Sequence, residues 1–355
     1  MGYEIDFLPV GNGGRSGDAI LLRYGNLYGR RSEQVVIVVD GGFNDNGKEI
    51  IDFLDRYYET DHIDLVVSTH PDADHINGLR TVLTELDVNK LWLHLPHLHS
   101  VELAALKLNG WASAPQLRES LRKDLSAVEE LEEIARIRGI PIIEPFAGVT
   151  HESIYGRLLV AGPTEEFYEE LLPQFTRYQG KGVLARALEV LAGMVPETLW
   201  VETLTDDGET TPENNSSAVV VLQVEDRSLL LTGDAGMPAL DAVADSLDAV
   251  GFDWSSLQFM QIPHHGSKRN VGPTILDRYL GPKGQEDQAK TTFVSAGPDA
   301  APKHPHKKVT NAFVRRGCLV GKTAGQSILH GNDAPPRDGW STIDGLPLYP
   351  MVEDD

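Results

Sequence analysis

Four groups able to bind a cation fall within six residues: His70, Asp72, Asp74 and His75, in the stretch Ser68-Thr69-His70-Pro71-Asp72-Ala73-Asp74-His75. His70 and Asp72 stand two apart, so an extended segment aims both to one side. Asp74 and His75 are adjacent, so a turn has to bring them to one centre or to two neighbouring ones. A lone histidine at a strand end is ordinarily structural. Two histidines and two aspartates in one strand-to-helix turn point instead to metal ligation. The chain has one cysteine, Cys318, which excludes an intramolecular disulfide and a Cys-rich zinc knuckle, so His and carboxylate must hold any metal. Cys318 itself reads as a small buried apolar residue.

The turn needs strands on either side to hold it. Leu65, Val66 and Val67 centre a strand over 62–69, and 76–86 reads as the helix that follows. Short strands are predicted at 3–10, 18–24, 34–40 and 89–95, and a helix at 48–58. Val35 to Val39 form a β-branched run too short for a helix and closed by Gly41-Gly42. From about 100 to 212 the pattern turns mainly helical. Leu117, Leu121, Leu125, Val128, Leu131 and Ile134 recur three or four apart, which predicts an amphipathic helix over 115–138. Its Glu129, Glu130, Glu132 and Glu133 form the solvated face. Helices are also expected at 165–172 and 182–194, with strand-like pieces at 141–143 and 157–160. Strands then resume: a hairpin of 217–224 and 228–232 around Glu225-Asp226, then 257–262, 291–294 and 326–330. Helices are predicted at 238–250, with Pro238 in the first turn, and at 309–316. From Asn332 a tail rich in Gly, Pro and Asp reads as a peripheral wrap.

The chain of 355 residues is 41% hydrophobic and 24% charged, an ordinary globular composition. Lys plus Arg number 31 and Asp plus Glu 53, so the net charge is 31 − 53 = −22, which excludes a basic nucleic-acid coat but not a locally positive cleft. No signal-peptide pattern and no run of ~18 apolar residues is present, so the expected compartment is the cytoplasm, with no membrane. Three tempting motifs fail. The glycines from Gly11 to Gly17 miss the dinucleotide spacing at Ser16, Gly321-Lys322-Thr323 lacks the earlier glycine of a phosphate loop because Arg316 stands there, and no Gly-x-Ser-x-Gly elbow occurs.

His70 to His75 resembles the His-x-His-x-Asp-His motif of the metallo-β-lactamase superfamily, with Asp72 in the second-histidine position. Within it, the chain resembles most the C-terminal hydrolase domain of ComEC-type DNA-uptake proteins, which carry Ser-His-Pro-Asp-Ala-Asp-His-Ile-Gly-Gly. Further segments match in the same order. They are Val10-Gly11 with Gly17-Asp18-Ala19 (across a longer loop), Val39-Asp40-Gly41-Gly42, Asn214-Asn215-Ser216-Ser217, Leu231-Thr232-Gly233-Asp234-Ala235, Ile262-Pro263-His264-His265-Gly266-Ser267, Ser295-Ala296-Gly297 and His304-Pro305. The resemblance covers about 1–95 and 213–330, and does not extend to the membrane channel of those proteins.

It implies an α+β fold: a four-layer αββα metallo-β-lactamase sandwich, one domain over 1–355, with a mainly helical insertion at 100–212 and a peripheral tail at 332–355. It implies two divalent metal ions, Zn²⁺ or Mn²⁺, held by His70, Asp72, Asp74, His75, Asp234 and His265. In that scheme His70 and Asp72 serve the first ion, Asp74 and His75 the second, Asp234 bridges, and a metal-bound hydroxide oriented by Asp74 attacks. The family's usual third-motif histidine is missing at the strand entry, where Glu213, Asn214 and Asn215 stand. With Asp72 also replacing an imidazole, the first site is rich in oxygen, which shifts preference toward harder ions such as Mn²⁺. Either His264 or His265 could ligate, and alignment with a His-Gly pair favours His265. Lys268 and Arg269 follow this turn, and Lys303, His306, Lys307 and Lys308 surround His304. Cationic groups beside the site of so acidic a chain point to an anionic substrate. His264, Lys268, Arg269, Asn214 and Asn215 are therefore the expected substrate-binding residues, and Asp74 and His304 the catalytic ones, His304 contacting a phosphate or protonating a leaving oxygen. His94, His97 and His99 are further candidates for the cleft wall. The leading function is hydrolysis of a phosphodiester in nucleic acid or a nucleotide. The alternatives are hydrolysis of a carboxylic ester, lactone or amide, and a non-catalytic, metal-stabilised interaction subunit with the helix from Pro115 as its protein-partner surface.

Overall fold

The fold is seen in a computed structural model that describes residues 1–99, 125–175, 193–300 and 303–354. Strands β1 (Gly2–Phe7), β2 (Ile20–Gly25), β3 (Gln34–Val39), β4 (His62–Ile63), β5 (Leu65–Val67), β6 (Asp87–Val88), β7 (Leu91–Trp92), β8 (Ile142–Ile143), β9 (Thr150–Ser153), β10 (Gly156–Gly162), β11 (Gly193–Pro196), β12 (Val219–Val224), β13 (Arg227–Leu231), β14 (Leu257–Gln261), β15 (Gln285–Val294), β16 (Arg316–Lys322), β17 (Ile328–Asn332) and β18 (Met351–Asp354) follow one another along the chain. The helices that matter below are α1 (Asn46–Phe53), α2 (Ala73–Ile76), α3 (Leu79–Glu85), α4 (Ser126–Arg138), α5 (Glu165–Leu171), α6 (Pro212–Asn215), α7 (Met237–Ala249), α8 (Pro273–Leu280) and α9 (Lys307–Arg315).

Two seven-stranded sheets face one another, in the orders β17-β1-β2-β3-β5-β7-β8 and β16-β15-β14-β13-β12-β10-β9. The alternation of side chains along each strand builds the layers. In β3, Val35, Ile37 and Val39 point between the sheets, while Val36 and Val38 point under the helices. In β12, Val220, Leu222 and Val224 face inward and Val219 and Val221 outward. Strands buried on both faces read as continuous apolar runs, which is why Val35 to Val39 carry no polar interruption. Phe7 from the first sheet meets Phe259 and Phe293 from the second at centroid distances of 5.8 and 5.6 Å, locking the middle of the sandwich. Ile50, Leu79, Val82 and Leu131 cover the outer face of the first sheet, and Leu240, Val243, Leu276 and Phe313 that of the second. The result is the four-layer αββα sandwich expected from the sequence.

The two sheets also share a polarity. β3, β5, β7 and β8 run parallel, as do β13, β14, β15 and β16. Their carboxyl ends therefore open at one edge of the sandwich, the usual place for a site in sheets of this kind.

In the interval 100–212 the strand-like pieces expected at 141–143 and 157–160 are present as β8 and β10, and β9 is added to them. The interval supplies β8 to the edge of the first sheet and β9 and β10 to the edge of the second, so it is part of the sandwich as well as an elaboration of it. Of the predicted helix 115–138, Ser126–Arg138 is present and 115–124 lies outside the described residues. Of the predicted helix 182–194, the part before Gly193 lies outside them, and Gly193–Pro196 is a strand, because its antiparallel partner β18 comes from the far end of the chain. Elsewhere β15 is longer than its predicted 291–294. Cys318 is buried in β16, with its thiol pushed up to about 12 by burial.

The tail is fastened at several places, among them bonds from Leu346 N to Val320 O and from the Asn311 amide to Tyr349 O, both at 2.8 Å. β18 pairs with β11, and Arg337 inserts beside β1, with Nη1 and Nη2 donating to Asp6 at 2.7 and 2.9 Å and Nη2 3.0 Å from Glu4. Its guanidinium lies 5.0 Å from the Trp340 ring centroid, and Trp340 packs edge-on against Tyr57. Removing one partner of a buried ion pair strands the others. Arg337→Ala is therefore expected to lower the unfolding free energy by about 3–5 kcal/mol, and an unchanged urea midpoint would show that this clasp contributes nothing.

Candidate metal centre

Five segments meet at the open edge of the sandwich. The stretch Ser68–His75 leaves β5 and enters α2, Asp40 follows β3, Asp234 follows β13, His264 and His265 follow β14, and His304 lies beyond β15. Backbone bonds tie the first two of these to each other and to Asp18, which precedes β2: Asp18 N to Asp74 O at 3.1 Å, Gly41 N to His75 O at 2.6 Å and Gly42 N to Asp18 O at 2.8 Å. The packing is too close for a side chain at Gly17, whose Cβ would strike the Asp74 carbonyl.

The rings of His70 and His75 lie 4.2 Å apart, and those of His75 and His265 5.5 Å. His70 Nε2, His75 Nε2, His265 Nε2 and Asp234 Oδ1 are all buried and have no hydrogen-bond partner. Orphaned buried polar atoms of this kind are costly, and four in one place call for a shared partner. The gaps fit a cation. His75 Nε2 is 3.4 Å from Asp234 Oδ1, His265 Nε2 is 3.5 Å from Asp74 Oδ2, and His70 Nε2 is 3.7 Å from Asp72 Oδ2 and 3.8 Å from Asp234 Oδ2. Ligands on one tetrahedral ion at ~2.0–2.3 Å stand about 3.3–3.8 Å from each other.

The opposite nitrogen of each ring is fastened. His75 Nδ1 donates to Asp40 Oδ2 at 2.8 Å. Thr69 Oγ1 donates to the same oxygen at 2.6 Å and so accepts from His70 Nδ1 at 3.0 Å. His265 Nδ1 donates to the Ser295 carbonyl at 3.1 Å. Protons held at Nδ1 leave the Nε2 lone pairs facing the centre, the arrangement that orients metal-ligating histidines.

Burial alone would push His75 and His265 toward neutrality. The carboxylates around them outweigh it, led by Asp234, holding His75 well above its ordinary value and His265 at about 9. Burial would likewise raise Asp234 and Asp74, but the imidazoles hold Asp234 well below the carboxylate range and Asp74 at about 2. The cluster is thus built to hold positive charge.

All six expected ligands, His70, Asp72, Asp74, His75, Asp234 and His265, are brought to this edge. His264 is there as well, its Nε2 3.6 Å from Asp234 Oδ2. His304 stands at the rim, its ring 6.2 Å from that of His264 and 6.3 Å from that of His265, with Nδ1 buried and unpartnered. Burial and the neighbouring histidines hold it at about 3, so it is neutral in the free protein. Asn214 reaches the centre, its Nδ2 3.2 Å from His264 Nδ1. Asn215 does not present its amide to a substrate: Nδ2 donates to Thr210 at 2.7 Å and Oδ1 accepts from Gly236 N at 3.2 Å, fastening the loops instead. Lys268 is half-buried and Arg269 exposed on the turn leaving the two histidines. Glu213, beside Asp72, is pushed up to about 7 by burial. Sequence reasoning assigned no role to Asp40, Gln261 or Asn270. Asp40 lies in a recognisable strand-end motif. Gln261 and Asn270 become visible only through their partners, Asp18 and the Asp234 carbonyl.

His94, His97 and His99 belong elsewhere. His94 stacks on Tyr168, His97 Nε2 lies 3.6 Å from Glu132, and the buried His99 bonds to Glu169 at 3.1 Å and Glu144 at 3.0 Å. Their strand ends beside the site, but α4 and α5 draw the side chains away. Burial opposes charge on His99, yet Glu144 and Glu169 raise it to about 9. A folded-state value above the unfolded ~6.5 contributes stability that is complete below pH ~6.5 and is lost as the pH rises through 9. Thermal unfolding of the wild type from pH 6.5 to 9.5 is expected to show this decline, and His99→Gln to flatten it; parallel slopes would refute the assignment.

Among described residues no helix is long and apolar enough to cross a membrane. ComE operon protein 3 of Bacillus subtilis is 30% identical over 111 residues, which cover 31% of this chain and only 13% of that longer protein. Of solved structures, CmlA, a diiron β-hydroxylase from Streptomyces venezuelae, is 10% identical with a TM-score of 0.42, covering 92% of this chain and 54% of its own. A diphosphatase from the PhnP family is 10% identical with a TM-score of 0.40, covering 93% and 98%. The family model described as the metallo-beta-lactamase superfamily matches residues 13–278, which take in the strands from β2 to β14 and the ligand segments from Ser68 to His265, and the chain belongs to that superfamily.

Proposed function

We propose that this superfamily hydrolase is a two-cation phosphodiesterase acting on nucleic acid or nucleotides. The observation that carries the reading is the set of buried, unpartnered donor atoms around Asp234, open on the side where His264 and His304 stand. Two divalent cations, Zn²⁺ or Mn²⁺, would polarise the phosphoryl oxygens and make a water acidic enough to attack near pH ~7.

The chain's own residues supply the rest. Asp234 turns Oδ1 to His75 and Oδ2 to His70 and His264, dividing its carboxylate between two halves of the centre. Asp74, ionised at neutral pH, would accept a hydrogen bond from the attacking water and so orient it. His304 enters neutral. Neutral, its ring still carries one N–H, which would donate to a phosphoryl or leaving oxygen of the bound substrate. Lys268 and Arg269 draw a polyanion to the edge by charge. The motif likeness to ComEC-type hydrolase domains supports the nucleic-acid side of the reading.

The test is a Mn²⁺ and Zn²⁺ screen on bis-p-nitrophenyl phosphate and single-stranded DNA. Asp74→Asn should lower kcat by at least ~10²-fold. His304→Ala should cost less and leave cation content intact. Replacing Lys268 and Arg269 by Ala should raise KM for DNA more than for the small diester. A fully loaded wild type that cleaves neutral esters or lactones but no phosphodiester would overturn the substrate class.

A further inference from the structure

We infer that His264 and His265 serve different cations, and that His264 supplies the first site with the nitrogen that the strand entry lacks. This rests on the two-cation reading and adds a ligand to it. At the strand entry Glu213, Asn214 and Asn215 offer no imidazole, so His70 would otherwise be the lone nitrogen beside Asp72 and Asp234.

The two neighbours diverge because their backbone does. His264 at φ 47°, His265 at φ 55° and Gly266 at φ 82° are three successive left-handed residues. His265 turns inward, is buried, and approaches Asp74 Oδ2 at 3.5 Å. His264 stays at the rim and approaches the other half of the centre, Asp234 Oδ2, at 3.6 Å, the same oxygen that His70 Nε2 meets at 3.8 Å.

The tautomer of His264 is set by a buried amide. Asn270 Nδ2 donates to the Asp234 carbonyl at 2.8 Å and to the Ala235 carbonyl at 3.4 Å, which fixes the orientation of that amide. Its Oδ1 then faces His264 Nδ1 at 2.9 Å and takes that proton, leaving the Nε2 lone pair toward Asp234. Asn214 Nδ2, itself a donor, faces the same ring nitrogen at the longer distance of 3.2 Å and so competes with this bond rather than adding to it. Asn270 is thus a positioning residue, tying His264 to the backbone of the carboxylate with which it would share a cation. The set that results is His70, Asp72, His264 and one Asp234 oxygen for the first ion, and Asp74, His75, His265 and the other oxygen for the second. Each has two nitrogens and two oxygens.

Mn²⁺ titration read by calorimetry and by electron paramagnetic resonance tests this without turnover. The wild type should bind two Mn²⁺ per chain with a spin-coupled signal. His264→Ala and His264→Gln, checked for fold by circular dichroism, should each bind one, with coupling replaced by the signal of an isolated ion. Asn270→Ala should weaken the first ion about 10–100-fold while the second keeps its affinity. If the wild type binds two ions and both His264 variants still bind two with unchanged affinity and coupling, the assignment of His264 is overturned. If the wild type binds fewer than two, the two-cation reading itself fails and takes the assignment with it.

Discussion

A single buried carboxylate, Asp40, decides which nitrogens of His70 and His75 face the centre. One of its oxygens accepts from Thr69 N, the other from Thr69 Oγ1 and His75 Nδ1, and the Thr69 hydroxyl passes the constraint on to His70. Asp40 in turn is placed by the pairing of β3 with β5, where Val39 stands opposite Val67 and Asp40 N bonds to Val67 O at 2.8 Å. A slip of one residue in that register would exchange the faces of β5 and point the ligand loop into the helical layer. Ring orientation at the surface edge therefore depends on β-branched packing several residues below it.

That packing also sets the strength of the charges above. Phe7, Phe259 and Phe293 fill the space between the sheets, and Asp18, Asp40 and Asp234 emerge from this dry interior almost wholly enclosed. At low local dielectric, carboxylate and imidazole act on each other far more strongly than on the surface of so acidic a chain. Asp18 shows the balance: burial raises its proton affinity, and the nearby imidazoles only partly offset that. Gln261 Nε2 donates to its Oδ2 at 2.8 Å while Gln261 Oε1 accepts from Thr232 N and Gly233 N, linking the first sheet to the turn that presents Asp234.

The ligand loop was legible because its chemistry is local: four donors within six residues, with a β-branched strand before them. The two layers of sheet were legible from apolar runs for the same reason. What escaped was whatever is completed by distant chain. Gln261 meets Asp18 across 243 positions, and Gly193–Pro196 becomes a strand only because 351–354 lies beside it. His94, His97 and His99 show the converse error. Their position at a strand end suggested the cleft, but no sequence pattern says that Glu132, Glu144 and Glu169 will gather on that flank. Asn215 sat in a matching motif beside Asn214, yet only one of the two amides faces the centre, because a single residue of rotation at the end of α6 separates them.

The left-handed turn at His264 and His265 has a bearing on how such a chain could be improved in the laboratory. A non-glycine residue with positive φ carries a conformational penalty, on the order of 1–3 kcal/mol, and two in succession are tolerated here because Asn270, the Ser295 carbonyl and the packing of Gly266 on Pro305 hold them. Glycine or asparagine would relieve that penalty at either position. A library screened for heat resistance alone would therefore tend to collect such replacements, and its hardiest members would be those whose imidazoles had been discarded.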